Sequence, residues 1–179
     1  MSWAVRGIHV IRGVLLAAAF LVLAGCGFQL RGSYALPYES IYLATGESSV
    51  IGAGLKRMIR ASGGTRIADA AADAQVTFVP TGEYRDTITL SYSSSGRVRE
   101  KRLRYRYAYR ITDNKGRDLV PQNYVELNRD VTYADSATLA KTQEEDLLWR
   151  DMENDLVQQL MRRLVTAKPK PATEVDEAQ

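Results

Sequence analysis

Histidine and cysteine are nearly absent: the 179 residues contain one of each, His9 and Cys26. A lone cysteine excludes a disulfide within the chain. So few imidazole and thiol groups leave most metal-binding and nucleophilic chemistry without its usual side chains. An excess of one charge sign is missing too. The 24 Lys and Arg stand against 21 Asp and Glu, a net of +3, far too balanced for a chain whose main partner is a nucleic acid backbone. The length suits one domain and a tail, with enough chain to bury a core.

Acids are wholly missing from residues 1–25, which carry Arg6 and Arg12 and then the apolar run from Val14 to Ala24 before Gly25-Cys26. That is the order of a secretion signal. The run, about a dozen residues, falls short of the roughly 20 that span a bilayer as a helix. Leu23-Ala24-Gly25-Cys26 resembles a bacterial lipobox, which implies that residues 1–25 are a lipoprotein signal peptide whose removal leaves an acylated Cys26 as the first mature residue. Burying each acyl CH₂ contributes about 0.8 kcal/mol, so several chains make a lasting anchor. Residue 27 is Gly rather than the Asp that favours inner-membrane retention among bacterial lipoproteins; a lipid anchor on the periplasmic side of the outer membrane is expected. Loss of Arg6 and Arg12 from the 24 basic residues leaves 22 against 21 acids, a net of +1, and His9 leaves as well. Without histidine the mature chain cannot assemble a Ser-His-Asp or Cys-His site, or a zinc site of the usual N/S type.

In the mature chain, Ser40–Ala44 reads as a short strand. Ser48 or Ser49 can cap a helix whose apolar face is Val50, Ile51, Leu55, Met58 and Ile59. Gly63-Gly64 stops it, and Lys56, Arg57 and Arg60 form a solvated side. From Gln75 the period changes to two: Val76, Phe78, Tyr84, Ile88, Leu90 and Tyr92 take even positions, with polar residues between them. Pro80 and Gly82 mark a bulge or an edge. After a turn at Ser93–Gly96, Leu103, Tyr105, Tyr107, Tyr109 and Ile111 alternate with Arg102, Arg104, Arg106, Ala108 and Arg110. A second turn at Asp113–Gly116 leads to a strand with Val125, Leu127, Val131 and Tyr133. A helix follows from about Thr142 to Val165, with Glu144, Glu145 and Asp146 in its first turn and Arg162 and Arg163 at its end, matching the helix dipole. Residues 167–179 read as a disordered tail. The expected fold of 26–166 is α+β: a four-stranded, mostly antiparallel sheet with two helices packed on one face. The other face is left to solvent or a partner.

Both ends of the chain resemble the LPS-assembly lipoprotein LptE family. The resemblance lies in Leu23-Ala24-Gly25-Cys26-Gly27-Phe28-Gln29-Leu30-Arg31-Gly32, in Leu139-Ala140-Lys141, and in Glu145, Met152, Asp155, Gln159, Arg163 and Leu164. It implies a non-enzymatic protein without cofactor that plugs the outer-membrane β-barrel LptD, supports that barrel's assembly and helps deliver lipopolysaccharide to the outer leaflet. Two other classes stay open: a free-standing lipid-binding or lipid-transfer lipoprotein, and a hydrolase using carboxylates alone, which needs a pair in one cleft with split pKa values.

Two sets of residues are the candidates. Arg102, Arg104, Arg106 and Arg110 share the outward sheet face with Glu83, Arg85, Glu126 and Asp130. A two-residue hairpin at Ser94-Ser95 would set Glu83 opposite Arg106, and a five-residue loop at 113–117 would set Arg104 opposite Glu126. They are either cross-strand ion pairs on a solvated face or the face that meets the polar barrel wall. On the inward face the same registers set Ile88, Leu90 and Tyr92 opposite Lys101, Arg99 and Arg97, and Arg129 opposite Lys101, with Lys141 close by. Aliphatic surface beside cations suits lipid A, whose phosphates Arg is shaped to hold. Arg97, Arg99, Lys101, Arg129 and Lys141 are therefore the expected lipopolysaccharide contact, unless these long side chains only snorkel from a frayed hairpin.

Overall fold

The computed structural model describes residues 35–133 and 138–167. The expected signal peptide at 1–25, the expected lipidation residue Cys26 and its surroundings, and all of the expected tail beyond Ala167 lie outside the described residues. Ala167 itself is buried, and its N–H bonds the Arg163 carbonyl.

The elements run β1 (Ser40–Leu43), α1 (Val50–Ser62), β2 (Arg66–Ile67), a single 3-10 turn (Ala71–Asp73), β3 (Val76–Tyr92), β4 (Val98–Asp113), β5 (Asp118–Thr132) and α2 (Thr138–Thr166). The Ser49 hydroxyl accepts the Gly52 N–H at the start of α1, meeting one of the donors a helix start leaves unpaired. Gly63, at φ +69°, ends it. Ile51, Leu55 and Ile59 recur every four residues and are buried, which turns one stripe of α1 to the core. A Cβ on Gly54 would lie 2.7 Å from Val157 Cγ2, so α1 and α2 approach closely where the helix has no side chain.

The expected four-stranded sheet is corrected to five strands, and the sheet is mixed, in the order β2-β1-β3-β4-β5. β1 runs parallel to both β2 and β3, while β3, β4 and β5 are antiparallel. Parallel pairing of β1 with β2 follows from the helical crossover through α1. At two residues, β2 is too short to carry a periodic signal. Both helices contribute to one core, in which Ile51, Leu55, Met152, Leu156, Leu160 and Leu164 meet Leu103, Tyr105, Tyr107, Tyr109 and Ile111 of β4. Full burial of such side chains stabilises by about 1.5–3 kcal/mol each. α2 begins four residues before the expected Thr142. Its first turn holds no acid, so Glu144–Asp146 lie beyond the reach of the dipole, which fades after one turn.

The alternation of β3 reverses partway. Val76, Phe78 and Pro80 pair with Asp113, Ile111 and Tyr109; Thr81 is then skipped, and Gly82 pairs with Ala108. This bulge shifts the register by one residue, which moves the side chains from Gly82 to Thr89 to the opposite face; further shifts follow at Leu90 and beside the turn, where Ser91 pairs with Glu100 and Tyr92 with Val98. At the other end, Ser93–Arg97 closes as a loop with Gly96 at φ +74°, the Gly96 N–H bonding the Ser93 carbonyl and the Ser93 N–H the Arg97 carbonyl. It is not a two-residue hairpin. In consequence Glu83 and Arg85 lie opposite Tyr107 and Tyr105 on the helix-covered face. Tyr84, Ile88, Leu90 and Tyr92, expected inside, are exposed.

Candidate functional site

On the outer face the even-numbered positions of β4 present arginines, and each meets a carboxylate of a neighbouring strand. Arg102 holds Asp130 with two bonds of 2.7 and 2.8 Å, and Arg104 holds Asp86 with two of 2.9 and 2.7 Å. Arg106 donates twice to one oxygen of Glu126, at 2.8 and 2.6 Å, and stacks over Tyr124. Arg110 is 3.8 Å from Asp118. The row is cross-strand paired, as one reading of the sequence has it, but with different partners. Arg104 lies opposite Asn128, and Glu126 lies opposite Arg106. The five-residue loop at 113–117 is present, with Thr112 opposite Asp118, but two register shifts between Tyr109 and Thr112 advance β5 by two residues. A shift of two keeps every side chain on its face, so the chemistry survives the change of partner.

The guanidinium hydrogen bonds of Arg104, Arg106 and Arg102 hold the carboxyls of Asp86, Glu126 and Asp130 below their usual pKa values of 3.8, 4.5 and 3.8. Groups whose pKa is lower in the folded state stabilise above their unfolded value and lose that contribution as they protonate. The melting temperature should hold near neutral pH and fall below about pH 4.5, less steeply in an Asp86→Asn/Asp130→Asn variant. An equal acid response in that variant would show that the ladder adds nothing to stability.

The reversal of β3 creates a polar node beneath α2 that the sequence reading missed. Arg85 lies 4.4 Å over the Tyr105 ring, donates 3.0 Å bonds to the Tyr105 hydroxyl and to Glu83, and forms a 2.8 Å ion pair with Glu153 of α2. Tyr105 donates its own proton to Glu83 at 2.7 Å. Burial, aided by that bond to Glu83, pushes the Tyr105 hydroxyl pKa upward. Trp149 meets the same ring edge-on. The node fixes α2 to the sheet where β3 has left β1 behind.

The candidate cations lie at the far end of the sheet. Lys101 pairs with Thr89 on β3 and Val131 on β5, and its Nζ is 3.4 Å from Glu145 and 4.6 Å over the Tyr133 ring. Lys141 is 2.6 Å from Glu144. Glu144 and Glu145 are successive residues of α2 and so present their carboxylates about 100° apart around the helix, one holding Lys141 of the same helix and the other tying Lys101 of β4 to it. Arg129, expected opposite Lys101, lies instead opposite Leu103 and pairs with Asp155. Ten residues of helix separate that carboxylate from Glu145, about 15 Å. Arg97 and Arg99 are exposed in and beside the turn, and the Arg99 carbonyl accepts the Tyr133 N–H. Ile88 lies opposite Arg102 on the face away from Lys101, while Leu90 is skipped by a second register shift and Tyr92 pairs with Val98 near the turn, so the three do not line up beside the cations. Among the described residues no group of three or more His, Cys, Asp or Glu could hold a metal ion, and no helix is long and apolar enough to cross a membrane.

A mixed sheet with both helices on one face and a paired arginine row on the other defines a small α+β domain. Lipoproteins of known structure share this fold. A solution structure of lipoprotein B from Nitrosomonas europaea superposes with a TM-score of 0.68 at 33% identity, covering 78% of this chain and 91% of that one. The rare lipoprotein B from Shewanella oneidensis shares the fold at a TM-score of 0.62 and 20% identity, covering 71% of this chain and 94% of that one. The LPS-assembly lipoprotein LptE of Yersinia pestis (strain Pestoides F) is 30% identical over 163 residues, 88% of this chain and 77% of the relative. The LptE family profile, described as lipopolysaccharide-assembly, matches residues 38–164. The chain belongs to the LptE family of LPS-assembly lipoproteins.

Proposed function

We propose that the chain is a lipid-anchored outer-membrane lipoprotein, acylated at Cys26, that plugs the LptD β-barrel, supports its assembly and helps deliver lipopolysaccharide to the outer leaflet, without catalysis or cofactor. Family membership supports the pathway. The observation that carries the plug reading is the outer sheet face, where no helix covers Tyr84, Tyr124 and the paired row Arg102, Arg104, Arg106 and Arg110. A face whose charges are already paired can enter a polar, water-filled barrel lumen without stranding an ion. Arg97, Arg99, Lys101 and Lys141 at the far end are the lipopolysaccharide contact, with Arg129 flanking it.

Affinity purification of the tagged full chain from mild-detergent membrane extracts tests the partnership. A β-barrel protein should co-purify in roughly stoichiometric amount, and Arg104→Glu/Arg106→Glu should lower its recovery while the chain still accumulates. Recovery of the chain alone would favour the other reading, a free-standing lipid-binding or lipid-transfer lipoprotein.

A further inference from the structure

We infer that Glu144 and Glu145 of α2 are resident competitors for the anionic groups of the ligand, occupying its cations when it is absent. The inference rests on the lipopolysaccharide contact proposed above and adds the device that controls it. Lys141 and Lys101 are each within ion-pair distance of one of these carboxylates. Both lysines are mostly buried along their stems, with side chains 22% and 29% exposed. Neither head group can therefore reach far for a new partner while it keeps the old one.

A phosphate and a carboxylate ask the same thing of a lysine, a charge-assisted bond of about 2.7–2.9 Å to an oxygen anion. One ammonium can serve both only by dividing its three donors between two anions that repel each other. Entry of a phosphate next to Lys141 and Lys101 thus displaces Glu144 and Glu145, or pays for their repulsion. The Lys101–Glu145 pair is also a tie between β4 and α2. Losing it loosens that half of the helix, whose other ties to the sheet include the Arg85–Glu153 and Arg129–Asp155 pairs further along. Ligand binding and docking of the first turns of α2 therefore oppose each other.

Fluorescent lipopolysaccharide titrated into the full chain in mild detergent tests this against Glu144→Gln/Glu145→Gln. Glutamine keeps the length and helix propensity of glutamate, so the helix is retained. Glu47→Gln/Asp151→Asn is the control for the same change in net charge; Asp151 lies about 10 Å along the helix, beyond the Debye length of about 8 Å at physiological salt, and Glu47 lies in the loop before α1. The double variant should bind about fivefold tighter or better, and the control should stay within about twofold of the parent, margins set by loss of one partly exposed ion pair per lysine. Amide exchange along residues 141–150 should also speed up in the parent when lipopolysaccharide binds. If the parent binds but the double variant binds no tighter, competition is overturned and the contact stands. If the parent does not bind, the contact is misplaced and the competition falls with it.

Discussion

Deleting Thr81 should destabilise the chain by about 2 kcal/mol or more, or prevent folding, because one missing residue turns the side chains that follow it to the wrong faces of β3. Thr81 is the extra residue of the β3 bulge, and its side chain is exposed. Without it, β3 continues into Gly82 with unbroken alternation, which turns Tyr84, Asp86 and Ile88 toward α2 and Glu83 and Arg85 outward. Asp86 then loses Arg104 and enters the region under α2. Glu153 loses Arg85, and the Tyr105 hydroxyl loses both Glu83 and Arg85. Thr81→Ala keeps the backbone count and should change stability by less than about 0.5 kcal/mol, as surface substitutions usually do. Urea unfolding of the three proteins checks this. A deletion variant with the parent's midpoint would mean that the bulge does not set which face β3 presents.

The second large effect concerns the ligand. Arg97→Glu/Lys141→Glu should weaken lipopolysaccharide binding about 10- to 100-fold at moderate salt, from about 1.5–3 kcal/mol for a hydrogen bond to a charged group and tenfold per 1.4 kcal/mol. The melting temperature should change little, since Arg97 lies in an exposed turn and the Lys141–Glu144 pair is local to one helix. Lys56→Glu/Arg60→Glu makes the same change in net charge on α1, beside the β1–β2 cleft. Long-range attraction alone would weaken binding equally in both double variants. A specific contact weakens it only in the first, and equal losses would place the contact elsewhere.

Much of the architecture was legible in the residues, and most of what was not traces to irregularities in strand register. The spacing of Ile51, Leu55 and Ile59, the Ser49 cap and the Gly63 stop marked α1, because a helix that buries one stripe must repeat every three to four residues. The β4 alternation of tyrosines and arginines was unambiguous for the same kind of reason, and it put the arginine row on the correct face. β3 misled. Its residues Ile88, Leu90 and Tyr92 look like core, yet all three are exposed, and Thr87 and Thr89 take the inner face, since that face is covered at this end by a helix segment bearing Glu145 and Glu153 and accommodates Lys101 and Arg85 there. Pro80 and Gly82 announced a bulge, but only the tertiary cover decides which face is apolar. The same single-residue reversal hid the Arg85 node and separated Ile88 from Lys101, expected beside it. Arg129 moved from Lys101 for a different reason, the two shifts beside the β4–β5 turn, which no local residue signalled.

The central claim, that this LptE-family chain works in lipopolysaccharide delivery as a barrel partner, is tested most directly by depleting it in its own cells and following newly made lipopolysaccharide. The account predicts that lipopolysaccharide stops short of the outer leaflet, that the barrel partner fails to mature, and that a copy carrying Arg97→Glu/Lys141→Glu restores the barrel better than it restores delivery. Normal arrival of lipopolysaccharide at the cell surface in depleted cells would contradict it.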